Sequence, residues 1–256
     1  MFTPFFNLIF PLKQVSVYIA VVIWALSFLG SCYQVNSPQT EIYTPPMSPE
    51  AEIAANIDSI KLNSKPGDLI VRLNDDIMSE IIRQIAVNDK SFSHAGIVVI
   101  KNNKKLVCHI VPNDLFVGAD TVKYEPLDSF IDPKTNLSCG WYRYNISPEE
   151  TNKLIAALDN FHQKKVYFDK RFDLNTNDSL YCSEMLAKAL QAATSNRLQF
   201  KEILVPKHLI KMMLFYFRKY HPTYHQIETT PFIPIESLYA IPDCKALIRT
   251  KLKILP

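Results

Sequence analysis

The stretch Asn177-Asp-Ser-Leu-Tyr-Cys-Ser-Glu-Met-Leu186 places a cysteine, Cys182, immediately before a run of strong helix formers. Asp178 and Ser179 are residue types that favour helix N-caps, so the sequence predicts that Cys182 lies in the first turn of a helix. That turn has backbone N–H groups without intrahelical partners and the positive end of the helix dipole. Both features favour a thiolate, the protonation state that a nucleophilic cysteine needs.

A histidine suited to act with this cysteine lies in Phe92-Ser-His-Ala-Gly-Ile-Val-Val99, where His94 precedes a β-branched run that predicts a strand. The polar turn Lys101–Lys105 and a second apolar run place His109 on the strand paired with that of His94. We therefore interpret Cys182 as a nucleophile, His94 as its base and His109 as the group that orients the imidazole. The alternatives are a small core cysteine and two packed histidines.

Composition restricts the class of protein. The 256 residues are 48% hydrophobic, enough for one substantial core. The net charge is only +3 and no basic block occurs, which argues against nucleic acid as a partner. The glycine-rich phosphate-binding motifs are absent from the sequence. We expect neither a cofactor nor a metal.

The first 31 residues are predicted to form a signal peptide. They carry a single charged side chain, Lys13, followed by the apolar run Val15–Leu29 and the small residues of Leu29-Gly30-Ser31-Cys32. A short apolar run that ends in small residues is typical of a secretory signal, and an uncleaved membrane anchor is the alternative. Residues 32–63 are predicted to form a polar tether and a lead-in helix.

Residues 64–256 are predicted to form one domain, in which helices and strands do not alternate regularly. This pattern favours an α+β fold with an antiparallel sheet packed against helices. Apolar residues at helical spacing and a Ser-Pro-Glu-Glu capping box mark two of its helices. The predicted helices are Glu50–Lys61, Asp75–Val87, Ser147–Gln163 and Pro206–Tyr220, and the later strands are Thr121–Pro126, Gly140–Ile146 and Ala246–Ile254.

Four motifs occur in a characteristic order: Pro66-Gly-Asp-Leu-Ile70, Ser93-His-Ala-Gly-Ile97, Lys165-Val-Tyr-Phe-Asp169 and Tyr181-Cys-Ser-Glu184. This set resembles the YiiX/YebB-like cysteine hydrolases, a circularly permuted branch of the NlpC-type papain-like superfamily. In ordinary papain order the cysteine precedes the histidine, whereas here His94 comes eighty-eight residues before Cys182.

The resemblance implies a permuted papain-like fold over residues 64–250, with Cys182 as nucleophile and His94 as base. The chain departs from the family at the third catalytic position, where the family often has a glutamate and this chain has His109. In related NlpC-type enzymes a histidine also orients the base.

The tetrapeptide ending at Cys32 resembles the bacterial lipobox, which implies that Cys32 is lipidated and becomes the mature N-terminus. A lipid there implies a membrane-anchored lipoprotein of the cell envelope, and Tyr33 after the cysteine suggests the outer membrane. In that oxidising compartment Cys108 could pair with Cys139 or Cys244, or all could remain free. The sequence does not indicate an oligomeric state.

Three functions follow as hypotheses. The first is hydrolysis of an amide bond in an envelope substrate that contains a peptide or an acyl-amide, such as a peptidoglycan stem peptide. The second is acyltransferase or thioesterase chemistry on a lipid-like substrate, as in the related lecithin:retinol acyltransferases. The third is a non-catalytic binding module that has kept the fold.

Overall fold

The computed structural model describes residues 47–112, 120–217 and 224–253, with the side chains of 216, 217 and 224–226 outside the description. The described residues belong to one compact unit, Met47–Pro256. The predicted signal peptide, the predicted lipidation site Cys32 and the predicted tether up to Pro46 lie outside the described residues. Among the helices that are described, none has the length and apolar character needed to cross a membrane.

The chain forms short helices and strands in an irregular order. The helices are α1 (Pro49–Asn63), α2 (Ile77–Ile85), α3 (Leu127–Phe130), α4 (Pro148–Gln163), α5 (Cys182–Ala193), α6 (Lys207–Phe217), α7 (Tyr224–Thr229) and α8 (Ile235–Tyr239). The strands are β1 (Leu69–Asn74), β2 (His94–Lys101), β3 (Lys104–His109), β4 (Lys123–Pro126), β5 (Asn136–Tyr144), β6 (Tyr167–Phe168), β7 (Ser179–Leu180), β8 (Ile203–Leu204), β9 (Pro231–Phe232) and β10 (Cys244–Lys251).

Six strands form an antiparallel sheet in the order β10-β5-β1-β2-β3-β4. The predicted α+β fold with an antiparallel sheet is thus confirmed. Because side chains alternate across a strand, β1 and β2 each contribute to two cores. A large core lies on the face covered by α5, and a smaller one lies on the opposite face around Ile60 of α1 and Phe130 of α3.

The β2–β3 hairpin brings the two histidine-bearing strands together. Asn102 and Asn103 have φ values of 50° and 58°, which is the conformation of a two-residue type I′ turn. The close approach of these strands requires a glycine at position 96. A Cβ on Gly96 would lie 2.3 Å from the Val107 side chain and 2.9 Å from the Cys108 carbonyl oxygen. A larger residue at this position would push β3 away from β2.

The Pro66-Gly-Asp-Leu-Ile70 motif begins β1 and ties it to β5. Gly67 adopts a φ of +88°, a left-handed conformation that glycine tolerates best. The buried Asp68 carboxylate then accepts hydrogen bonds from the Lys65 N–H, the Trp141 indole and the Arg143 guanidinium, at 2.7–2.8 Å. The motif therefore has a structural role, because the Asp68 carboxylate is engaged by hydrogen bonds within the fold.

The predicted helices and strands are confirmed with shifts of a few residues at their ends. The capping box at Ser147 forms as expected, with Ser147 and Glu150 satisfying each other's backbone N–H groups. The end of the predicted strand Ala246–Ile254 and the end of the predicted helix Pro206–Tyr220 lie outside the described residues.

The structure corrects the predicted start of α5 and shows the state of the described cysteines. The prediction that Asp178 or Ser179 caps α5 is wrong. Ser179 pairs with Tyr167 in the short parallel β6–β7 sheet, and the helix starts later, after Tyr181. The open question of disulfides is answered for the described residues, where all the cysteines are free thiols. They are Cys108, Cys139, Cys182 and Cys244.

Candidate active site

Cys182 is the first residue of α5, as its position before the helix formers predicted. The helix start is fixed from both sides: Ser183 Oγ donates to the Ile233 carbonyl oxygen at 2.5 Å, and Tyr181 Oη accepts from the Ile233 N–H at 2.8 Å. The Tyr181 ring also stacks on Phe232, with centroids 4.8 Å apart. The Cys182 sulfur and its backbone N–H are therefore held by packing on the β9 segment.

Glu184 stabilises the start of α5. Its carboxylate accepts from the Tyr181 N–H at 3.1 Å and lies 2.9 Å from the Lys188 ammonium. The side chain is fully buried, and this burial raises the pKa of Glu184 to about 7. The carboxylate is thus occupied in capping the helix and pairing with Lys188.

The two histidines contact each other as their strands predicted. His94 Nε2 lies 2.8 Å from His109 Nδ1, at hydrogen-bond distance, and His109 is completely buried. Phe130 packs against both rings, with centroids 5.7 Å from His94 and 5.2 Å from His109. Since Nε2 of His94 is occupied, Nδ1 is the ring nitrogen left to exchange a proton with a reacting group.

Cys182 and His94 line the same cleft, which encloses about 580 Å³ with its solvent-open part included. Most other side chains that line it are apolar. They are Met78, Ile82, Ile110, Val111, Pro112, Phe168, Phe172 and Phe232.

The sequence did not single out two charged residues beside the histidines, Arg72 and Glu125. Arg72 lies directly opposite His94 in the β1–β2 register, with its guanidinium 4.0 Å above the Phe130 ring centroid. Glu125 Oε2 lies 3.5 Å from Arg72 Nη1 and 3.0 Å from His109 Nε2. An arginine inside the apolar run Leu69–Leu73 was the available signal, because a buried charge requires a partner.

The resting protonation states follow from burial and from these charges. Burial, and next to it the positive charge of Arg72, hold the pKa of His94 and of His109 well below the usual histidine range. Burial also raises the pKa of the Cys182 thiol to about 11, although hydrogen bonds from the Ser183 and Cys182 backbone N–H groups act in the opposite direction. The helix start therefore favours the thiolate as expected, but burial has the larger effect. At neutral pH the pair is a thiol and a neutral imidazole.

This state predicts the pH dependence of Cys182 alkylation. Because the pKa of the thiol is raised to about 11, the thiolate fraction should grow about tenfold per pH unit throughout the range below that value. Iodoacetamide labelling of Cys182, followed by peptide mass spectrometry, is expected to accelerate steadily from about pH 6 to about pH 10. A plateau near neutral pH would instead reveal a preformed thiolate–imidazolium pair.

The backbone also supplies one group for stabilising a developing oxyanion. The N–H of Cys182 is at the first helical position, where backbone donors lack intrahelical acceptors. In acyl transfer such a donor can bind the oxygen of a tetrahedral intermediate. Within the described part of the chain, no group of three or more histidine, cysteine, aspartate or glutamate residues could hold a metal ion.

Comparison with known proteins identifies a matching family and a similar fold. Residues 63–230 match the model of a family described as permuted papain-like amidases, the YaeF/YiiX or C92 family. The fold is similar to the crystal structure of a protein described as metalloprotein YiiX from Escherichia coli O157:H7, with a TM-score of 0.58 and 22% sequence identity. That similarity covers 73% of this chain and 98% of the YiiX chain. No curated protein matches the sequence.

Proposed function

The chain belongs to the C92 family of permuted papain-like amidases, and from this membership we propose that it hydrolyses amide bonds of a cell-envelope substrate with Cys182 as nucleophile. The family establishes the reaction class, a papain-like cysteine amidase or peptidase, as the sequence predicted. The observation that carries the assignment to these residues is that Cys182 and His94 line one cleft while His109 occupies Nε2 of His94 and leaves Nδ1 free of it.

The proposed reaction proceeds through a thioester. His94 Nδ1 takes the proton of the Cys182 thiol as the sulfur attacks the carbonyl carbon, and the Cys182 N–H stabilises the resulting oxyanion. When the intermediate collapses, the C–N bond breaks and the imidazolium of His94 gives its proton to the leaving amine. Water, deprotonated by His94, then attacks the thioester, which releases the carboxylic acid and restores the thiol.

The lining of the cleft supports a substrate with an apolar acyl portion. The side chains beside Cys182 are mainly aliphatic and aromatic, and burial of each methylene of a ligand contributes about 0.8 kcal/mol. A charged peptidoglycan stem peptide would bury less apolar surface against this lining than a hydrocarbon acyl group would. The same lining favours the second candidate, acyl transfer or thioester hydrolysis on a lipid-like substrate.

The envelope location is proposed from the first 46 residues. The run Val15–Leu29 followed by Gly30-Ser31-Cys32 has the pattern of a lipoprotein signal, with Cys32 as the lipidated residue. A lipid at Cys32, followed by a polar tether, would hold the domain close to membrane-associated amides.

A series of N-acyl anilides with increasing acyl length tests this function. We expect kcat/KM to rise about fourfold per methylene until the cleft is filled, because each methylene leaves water. Intact-mass spectrometry should detect the acyl group on Cys182 during turnover. Faster cleavage of a stem tetrapeptide would redirect the proposal to peptidoglycan. Turnover of thioesters without turnover of any amide would favour the second candidate, and no turnover would favour a binding module.

A further inference from the structure

We propose that Glu125 is a positioning residue of this site, which fixes the tautomers of His109 and His94 so that His94 presents an unprotonated Nδ1 to Cys182. The inference rests on the proposed function for its catalytic consequence. Its structural core, the chain Glu125–His109–His94, rests on contacts between the side chains alone.

The contact of Glu125 with His109 is short and internal. Glu125 Oε2 lies 3.0 Å from His109 Nε2, and the two side chains are 23% and 0% exposed. The angle at Nε2 is not that of a good hydrogen bond, and among the described residues this nitrogen has no other hydrogen-bond partner. Because leaving a buried ring nitrogen without a partner is costly, this contact favours a proton on Nε2 that is directed at the Glu125 carboxylate.

The position of Glu125 follows from the sheet register. On β4 it pairs with Val107 of β3, so it is the diagonal neighbour of His109 on the same face of the sheet. The Glu125 carboxylate is therefore supplied by the strand next to that of His109, and His109 connects it to His94.

The chain of contacts determines where the ring protons are. A carboxylate only accepts, so His109 Nε2 must carry the proton that faces Glu125. His109 Nδ1 is then an acceptor, and it receives the proton of His94 Nε2 across the 2.8 Å contact. His94 Nδ1 is left unprotonated, which is the state a general base needs. Without Glu125, no acceptor at His109 Nε2 would fix the tautomer of His109, and therefore that of His94.

Glu125 also balances positive charge around the pair. Arg72 approaches from β1, and Lys123, opposite His109 in the β3–β4 register, approaches from β4. The negative charge of Asp76, at the start of α2, attracts the guanidinium of Arg72. When His94 becomes an imidazolium during the reaction, Glu125 is the carboxylate in contact with both Arg72 and His109. Its charge therefore favours the step in which His94 takes the proton.

The experiment compares Glu125→Gln with the wild type and with Asp128→Asn. Asp128 is 73% exposed and only three residues away, so its substitution removes the same charge from the same region without touching the histidines. We expect Glu125→Gln to lower kcat about 10- to 100-fold with KM unchanged, as for outer partners of other functional histidines. Asp128→Asn should retain both constants.

Nitrogen-15 NMR of the ring nitrogens tests the tautomers without any substrate. In the wild type, His94 and His109 should both be protonated at Nε2 and unprotonated at Nδ1, and Glu125→Gln should lose this uniform pattern. A wild-type His109 protonated at Nδ1, or a Glu125→Gln variant with unchanged tautomers and kcat, would overturn the inference. Circular dichroism melting identifies a variant that fails to fold. In that case the nitrogen-15 spectrum of the wild type alone decides whether His109 has the expected tautomer. If Cys182 forms no acyl-enzyme, the proposed function fails while the tautomer test still stands.

Discussion

Replacing His94 by alanine is expected to lower kcat/KM for amide hydrolysis by about 10³- to 10⁴-fold at neutral pH. With the pKa of the Cys182 thiol raised to about 11, only about one molecule in 10⁴ carries the thiolate at pH 7. The wild type avoids this limit because His94 takes the proton as the sulfur attacks. Without the imidazole, catalysis depends on the small thiolate population alone.

The residual activity of His94→Ala should rise about tenfold per pH unit up to about pH 10, since it follows the thiolate fraction. Initial rates over that range, on the best acyl anilide, measure this slope. His208→Ala is the matched control, because His208 is exposed on α6, outside the residues that line the cleft, and should behave like the wild type. A His94→Ala variant with near wild-type kcat/KM at pH 7 would contradict the assignment of His94 as the base.

The sequence predicted which candidate residues the fold brings together because their signals are local or ordered along the chain. Cys182 precedes a run of helix formers, and His94 and His109 lie on two strands joined by a short turn, so neighbouring residues suffice to place them. The α+β class followed from the irregular alternation of elements. The wrong N-cap shows the limit of this approach, because Ser179 pairs with Tyr167 twelve residues earlier.

The sequence missed Arg72 and Glu125 because their role depends on the register of four strands. Arg72 on β1 meets His94 on β2, 22 residues later. Glu125 on β4 reaches His109 on β3, 16 residues earlier, and Arg72, 53 residues earlier. Local propensity carries no information on such pairings. The resting thiol of Cys182 was missed for a related reason, since the helix start is visible in the sequence whereas the extent of burial is not.

Removal of the Asp68 carboxylate is expected to destabilise the fold strongly, although Asp68 lies outside the cleft. Asp68→Ala leaves the buried Trp141 indole without its acceptor and Arg143 without its ion pair, and it frees the Lys65 N–H. Breaking such a pair costs up to 3–5 kcal/mol when both partners are buried. Because the Arg143 side chain is 35% exposed and can be partly rehydrated, we expect a loss of about 3 kcal/mol in the free energy of unfolding.

Urea denaturation followed by tryptophan fluorescence measures this loss, and Trp141 itself reports on the network. Asp68→Asn should lie between the wild type and Asp68→Ala, since its amide oxygen still accepts hydrogen bonds but carries no charge for Arg143. Glu149→Ala removes a carboxylate whose ion pair with Lys153 is exposed on α4, and it should leave the denaturation midpoint almost unchanged. Equal midpoints for Asp68→Ala and Glu149→Ala would show that the β1–β5 connection is maintained by strand pairing alone. The other outcome is a much lower midpoint for Asp68→Ala than for Glu149→Ala, with the alkylation of Cys182 in native conditions unchanged. It would show that the Pro66–Ile70 motif stabilises the fold without taking part in the chemistry, which lies toward the other end of β1, where Arg72 meets His94.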